Sequence, residues 1–153
     1  MNRTLTAWPT MLAVVLVTSL VFGADADSIL GSWNTADRNA KIEIYKCGPE
    51  YCGRISYLKE PNFPPMDKGG MAGLPRVDRN NPEPQLRLRP LLGLSLIEGF
   101  HYAGNNTWKG GRIYNPEDGR KYKAKITLSQ GNRLELRGFV GMSLLGRTET
   151  WTR

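Results

Sequence analysis

The densest group of residues with types and spacing suited to chemistry stands at the C-terminus. Gly146 to Arg153 alternates like a strand, which puts Arg147, Glu149, Trp151 and Arg153 on one face and Thr148, Thr150 and Thr152 on the other. An arginine fork suits a carboxylate or a phosphate, and a neighbouring glutamate would hold that fork in place. If this face points into an apolar cavity, Arg147, Glu149 and Trp151 form a ligand-binding site for the head of an amphiphile. Its apolar part would then lie against Ile126, Leu134 and Leu136. If the face points outward, the same residues are a surface salt bridge beside an indole. Signatures of catalysis are missing: there is no G-x-S-x-G elbow, no P-loop and no H-E-x-x-H. His101 is the single histidine, and it falls near a strand end as an ordinary edge or surface residue would. No catalytic residue is assigned, and a small enzyme using Arg147, Glu149 and His101 ranks last among the functions considered.

Cys47 and Cys52 bracket Gly48-Pro49-Glu50-Tyr51, with strand-like segments on both sides. Gly-Pro marks a turn, and cysteines at the mouth of a hairpin come within disulfide distance. Redox C-x-x-C motifs need a two-residue spacer, which this pair lacks. Zinc wants four ligands, and the chain offers one His and no third Cys. A structural disulfide is therefore expected, with no metal and no cofactor. Because it closes a short loop, it contributes about 2 kcal/mol.

The elements that must position these residues read as strands and turns. Lys121 to Leu128 alternates, with Tyr122, Ala124, Ile126 and Leu128 on one face and lysines opposite. Arg133 to Val140 repeats the pattern, with Ser129-Gln130-Gly131-Asn132 as the turn between them. Further strands are expected near Ser32–Thr35, Ala40–Cys47, Cys52–Lys59, Leu92–Phe100, Thr107–Tyr114 and Gly146–Arg153. The fold class is all-β: a small antiparallel up-and-down barrel of about eight strands, with an open sandwich as the alternative. In such a barrel the first strand pairs with the last, so Trp33 of Gly31-Ser32-Trp33 comes near Trp151 and Arg153 as a structural pair. Arg over a Trp face is a favourable cation–π arrangement. A G-x-W on the first strand with a basic residue on the last resembles the lipocalin (calycin) closure. One long Pro/Gly-rich loop, Glu60 to Leu88, interrupts the meander, and it is either a lid or a solvated excursion.

The N-terminus gives the address. Arg3, the apolar run Met11 to Phe22 and the small residues Gly23-Ala24-Asp25-Ala26 have the pattern of a secretory signal peptide. The apolar core falls short of the roughly 20 residues a spanning helix needs. Residues 1–26 are expected to be removed, leaving 27–153 as one domain that does not span the membrane, periplasmic or secreted. Removal takes Arg3 and Asp25, one charge of each sign, so the formal net charge stays at +7. A cationic exported protein meets anionic lipid, polymer or small ligands, and little nucleic acid.

A longer resemblance rests on five stretches: Gly31-Ser32-Trp33; Cys47 with Cys52-Gly53-Arg54-Ile55; Asn81-Pro82-Glu83-Pro84 running to Arg89-Pro90-Leu91-Leu92-Gly93; Trp108 to Gly119; and Leu136-Arg137-Gly138 through Leu144 to Trp151. With these the chain resembles the secreted bacterial family catalogued as domain of unknown function 2147. That resemblance implies a small exported β-barrel and no established activity. The leading function is a non-enzymatic binding barrel of the cell envelope for a small apolar or amphiphilic ligand. The alternative is an interaction protein that docks on an anionic envelope surface through Lys121, Lys123, Lys125, Arg133 and Arg137, with side chains filling its interior.

Overall fold

The structure, a computed structural model, describes residues 25–140 and 146–153. The expected apolar run Met11–Phe22 and most of the turn expected over Gly141–Gly146 lie outside the described residues. A one-turn 3-10 segment, Ala26–Ile29, precedes nine strands: β1 (Gly31–Asn34), β2 (Ala40–Cys47), β3 (Glu50–Leu58), β4 (Ser95–Tyr102), β5 (Thr107–Lys109), β6 (Arg112–Asn115), β7 (Arg120–Ser129), β8 (Arg133–Phe139) and β9 (Arg147–Thr152). Neighbours pair antiparallel around the ring, β3 also pairs with β4, and β9 pairs with β1. This is the expected up-and-down barrel.

The extra strand arises because the expected Thr107–Tyr114 strand is cut in two. Both β5 and β6 lie between β4 and β7, so together they fill one position of the ring. The cut falls at Gly110-Gly111. Gly110 has φ +85°, and a Cβ on Gly111 would stand 2.1 Å from the Phe100 ring. The fully buried Phe100 thus claims the space of a side chain, and only a glycine bulge lets the strand pass. The β7–β8 hairpin follows its sequence signal: Gln130 and Gly131 both have positive φ, and Ile126 faces Leu136 while Leu128 faces Leu134.

Inward positions are filled by side chains. Trp33, Trp108, Trp151, Phe100, Ile42, Ile44, Ile97, Ile126 and Leu134 are all fully buried and form one cluster. Trp108 meets Tyr51 edge-on at 6.3 Å and Tyr102 at 5.2 Å. Cys47 and Cys52 are joined in a disulfide at the β2–β3 turn. At the same end of the barrel the 3-10 segment plugs the bottom. Ile29 is fully buried, its carbonyl accepts the Trp33 indole N–H at 2.8 Å, and the Ala26 carbonyl accepts the Trp108 indole N–H at 3.1 Å. Asp27 ties the plug to β2 and β3 through Lys46 at 2.9 Å and the Tyr51 hydroxyl at 2.6 Å. The Lys46 ammonium, and after it the Tyr51 hydroxyl, hold the Asp27 carboxyl below its ordinary value. This tether is therefore complete above the ordinary carboxylate range and is lost as pH falls through the lowered Asp27 value.

The segment between β3 and β4 is a folded excursion rather than a solvated one. Bridges at Asn62–Pro75 and Val77–Pro90 divide it into two small loops. Phe63 is buried in the first, with the Arg79 guanidinium 4.1 Å above its ring, and Asp67 accepts from Arg79 and from the Gly69 and Met71 amides. A 3-10 turn, Pro84–Leu86, lies in the second.

Replacing Trp33 by Ala empties the largest side-chain volume beside the plug. The expected outcome is a loss of about 3–5 kcal/mol, read from the urea midpoint. An unchanged midpoint would contradict the closed interior.

Candidate functional site

Strand alternation decides which side chains reach water on the outer wall. Across β4, β6, β7 and β8 one row runs Glu98, Arg112, Lys123, Phe139, each facing the next. The neighbouring row places Lys125 opposite Arg137, which faces Thr148 on β9. Both rows set two cations directly across a strand pair, an arrangement that costs stability. The Lys121 ammonium takes up the Glu98 carboxylate at 2.7 Å, and Arg137 donates to the Thr148 hydroxyl at 3.0 Å. Among the described residues no carboxylate is bonded to Arg112, Lys123 or Lys125.

A concavity of about 260 Å³ opens on this wall, lined by Gly110, Gly111, Arg112, Lys123, Ala124 and Phe139. It lies where β5 gives way to β6, at the Gly110-Gly111 break in the strand. Arg112 and Lys123, both exposed, and the half-buried Phe139 are among its lining residues.

The excursion covers the outer wall next to this concavity. Tyr114 faces the exposed Lys121 across the β6–β7 pair and is itself buried within the apolar cluster. Asp78, fully buried, accepts from the Tyr114 hydroxyl at 2.7 Å, from the Asn81 amide at 2.8 Å, and from Arg89 Nε at 2.9 Å and Nη2 at 2.8 Å. The Arg89 guanidinium also lies 5.4 Å from the Tyr114 ring centre. Burial, and then the bond to Asp78, push the Tyr114 hydroxyl above its ordinary value. Asn80 donates to the Pro116 and Glu117 carbonyls, and a Cβ on Gly119 would come 2.1 Å from the Asn80 carbonyl, so glycine is required there. Every donor facing Asp78 is satisfied, which marks a latch holding the excursion down rather than a reactive carboxylate.

The residues singled out from the sequence fall in two places. Trp33 and Arg153 meet at the plugged end, with the guanidinium 4.2 Å from the Trp33 ring centre and bonded to the Ser28 and Leu30 carbonyls. Arg147 and Glu149 share the strand face of Trp151 but are exposed at the other end, where they face Gly138 and Leu136. The expected Arg147–Glu149 pair is not formed: Glu149 accepts the Trp151 indole N–H at 3.2 Å instead. Strand alternation gave the shared face, but it does not tell how far along a short strand burial ends. His101 lies on the outer wall with Glu50 at 3.3 Å. Among the described residues no group of three or more His, Cys, Asp or Glu gathers as metal ligands. Sequence reasoning missed Arg112, Phe139 and the Asp78 latch. A Gly-Gly pair inside a strand pattern is the signal that points to the gap; the latch joins residues too far apart in the chain to show any.

Strand number, closure, filled core and N-terminal plug together define a small lipocalin-like barrel. The chain belongs to the family described as an uncharacterized protein conserved in bacteria (DUF2147), whose model matches residues 31–153. Its fold is similar to that of protein HP1028 from the human pathogen Helicobacter pylori, described as belonging to the lipocalin family. The TM-score is 0.68 at 21% identity, with 82% of each chain covered. No curated protein matches the chain.

Asp78→Ala removes the acceptor from Tyr114, Asn81 and Arg89 at once. The excursion is expected to open locally, read as faster limited proteolysis between residues 60 and 90 while the barrel core keeps its hydrogen-exchange protection. Unchanged cleavage would show that the latch does not hold it.

Proposed function

We propose that this is an exported protein of the bacterial cell envelope that docks on an anionic surface through the cationic outer wall formed by β6, β7 and β8. The observation carrying this reading is the set of facing cations, Arg112 with Lys123 and Lys125 with Arg137, on a barrel whose interior is filled with side chains. Opposed like charges lower stability, and an anionic surface offsets that cost. The disulfide fits an oxidising compartment, and no described helix is long and apolar enough to cross a membrane. Vesicles of phosphatidylglycerol in phosphatidylethanolamine are expected to retain the protein at low salt and release it at high salt. Each cation near such a surface is worth about 1 kcal/mol. Lys123→Gln with Lys125→Gln should then weaken retention by about 30-fold. No retention at low salt would end this reading.

Export itself remains part of the proposal, and the fold bears on where the leader ends. Ala26 supplies the acceptor for Trp108, and Asp25 caps the plug through its side chain and carbonyl. A chain beginning at Asp27 lacks all three acceptors, so processing before Asp25 suits the fold better than the expected cut after Ala26. The chain starting at Asp25 should be the more stable by about 1–3 kcal/mol in denaturant titrations. N-terminal sequencing of the native protein should find Asp25 first; a native start at Asp27 with equal stability would refute this.

A second reading keeps a ligand at the barrel mouth, with Arg147 meeting the head group of an amphiphile and Glu149 and Trp151 beside it. Its support is that Arg147 and Glu149 lie on the same strand face as the buried Trp151, together with the lipocalin-like fold. Fatty acid binding that Arg147→Met abolishes would favour it; equal binding by both proteins would exclude it.

A further inference from the structure

We propose that the gap at Gly110-Gly111 is a site for one phosphate headgroup of an amphiphile, with Arg112 and Lys123 on the phosphate and Phe139 against the start of the apolar chain. The site gives the docking reading a chemical target and rests on that reading.

Four observations converge here. The concavity, about 260 Å³, is smaller than pockets for whole drug-sized ligands and has room for a headgroup alone. Its two cations face each other across β6 and β7 with no bonded carboxylate among the described residues. A dianion between them turns a repulsion into two charge-assisted contacts. The acid that faces Arg112 is already engaged: Glu98 by Lys121. Apolar surface begins where the cations end, with Phe139 facing Lys123 and the exposed Val140 after it. Arginine presents a fork and lysine a point charge, a combination that serves the several oxygens of a phosphate better than a single carboxylate.

The bulge has a structural cause at Gly111, where Phe100 excludes a side chain. That cause accounts for the break in the strand but not for the cations beside it. Polar uncharged residues at 112 and 123 would satisfy the strand pairing equally well and avoid the repulsion.

Calorimetric titration with lysophosphatidic acid, below its micelle concentration, tests the site without any membrane. Inorganic phosphate and lysophosphatidylcholine are the comparison ligands. Lysophosphatidic acid should bind most tightly, inorganic phosphate more weakly at the same residues, and lysophosphatidylcholine not measurably. A charge-assisted contact is worth about tenfold in affinity, so Arg112→Gln with Lys123→Gln should lose about 100-fold. Phe139→Ser should weaken lysophosphatidic acid and leave inorganic phosphate unchanged. Arg38→Gln with Lys59→Gln removes the same net charge elsewhere and should change neither. Equal binding by the Arg112/Lys123 double variant overturns the site, and so does equal loss in the Arg38/Lys59 control. Equal affinity for lysophosphatidic acid and inorganic phosphate, with no effect of Phe139→Ser, overturns the amphiphile. Binding of monomers without vesicle retention would keep the site and remove the docking reading. Vesicle retention without monomer binding would do the reverse.

Discussion

A barrel has to close, and here the closure is held chiefly by side chains. β1 and β9 share one residue pair, Asn34 with Thr152, supported by the Asn34 amide on the Thr152 carbonyl. By contrast β2 and β3 pair along their whole length. What spans the seam is Arg153, which lies over the Trp33 ring and bonds the Ser28 and Leu30 carbonyls. Trp33 in turn bonds Ile29, so the last residue of the chain, the first strand and the plug form one unit. A buried indole with its N–H satisfied and a cation on its face makes this junction worth more than the single ladder pair.

Closing the ring this tightly determines what else the molecule can do. Three tryptophans and Phe100 fill the interior, and the packing of Phe100 forces a glycine bulge into the facing strand. Beside the bulge a concavity opens on the outer wall, bordered by Arg112 and Lys123, to which no carboxylate is bonded among the described residues. The excursion between β3 and β4 covers the wall nearby through Asp78 and Tyr114. Core packing and the break in the facing strand are thus linked, and the proposed recognition is placed on the outer surface beside them.

The sequence made period-two features legible and hid those that depend on distant contacts. Alternation in Lys121–Leu128 and Arg133–Val140 predicts the inward residues as far as Gly138, the outward cations and the hairpin between them; Val140, expected on the inward face, lies beyond β8 and is exposed. The two cysteines predict their own bond, because a separation of five positions across a turn leaves little freedom. The Glu60–Leu88 loop could not be read: its order comes from Asp78 meeting Tyr114, 36 positions away, and from Arg79 stacking on Phe63. For the C-terminal strand the sequence placed Arg147, Glu149 and Trp151 on one face, but only Trp151 is buried, since the barrel end exposes the others.

The central claim is that recognition happens on the outer wall and not in the interior. Nuclear magnetic resonance with amide- and methyl-labelled protein and spin-labelled anionic lipid in bicelles tests it most directly. The account expects broadening of the amides of Lys121, Lys123, Lys125 and Arg137. The methyls of Ile126, Leu134 and Leu136 should be untouched. Broadened or shifted interior methyls, with the outer amides unaffected, would contradict it.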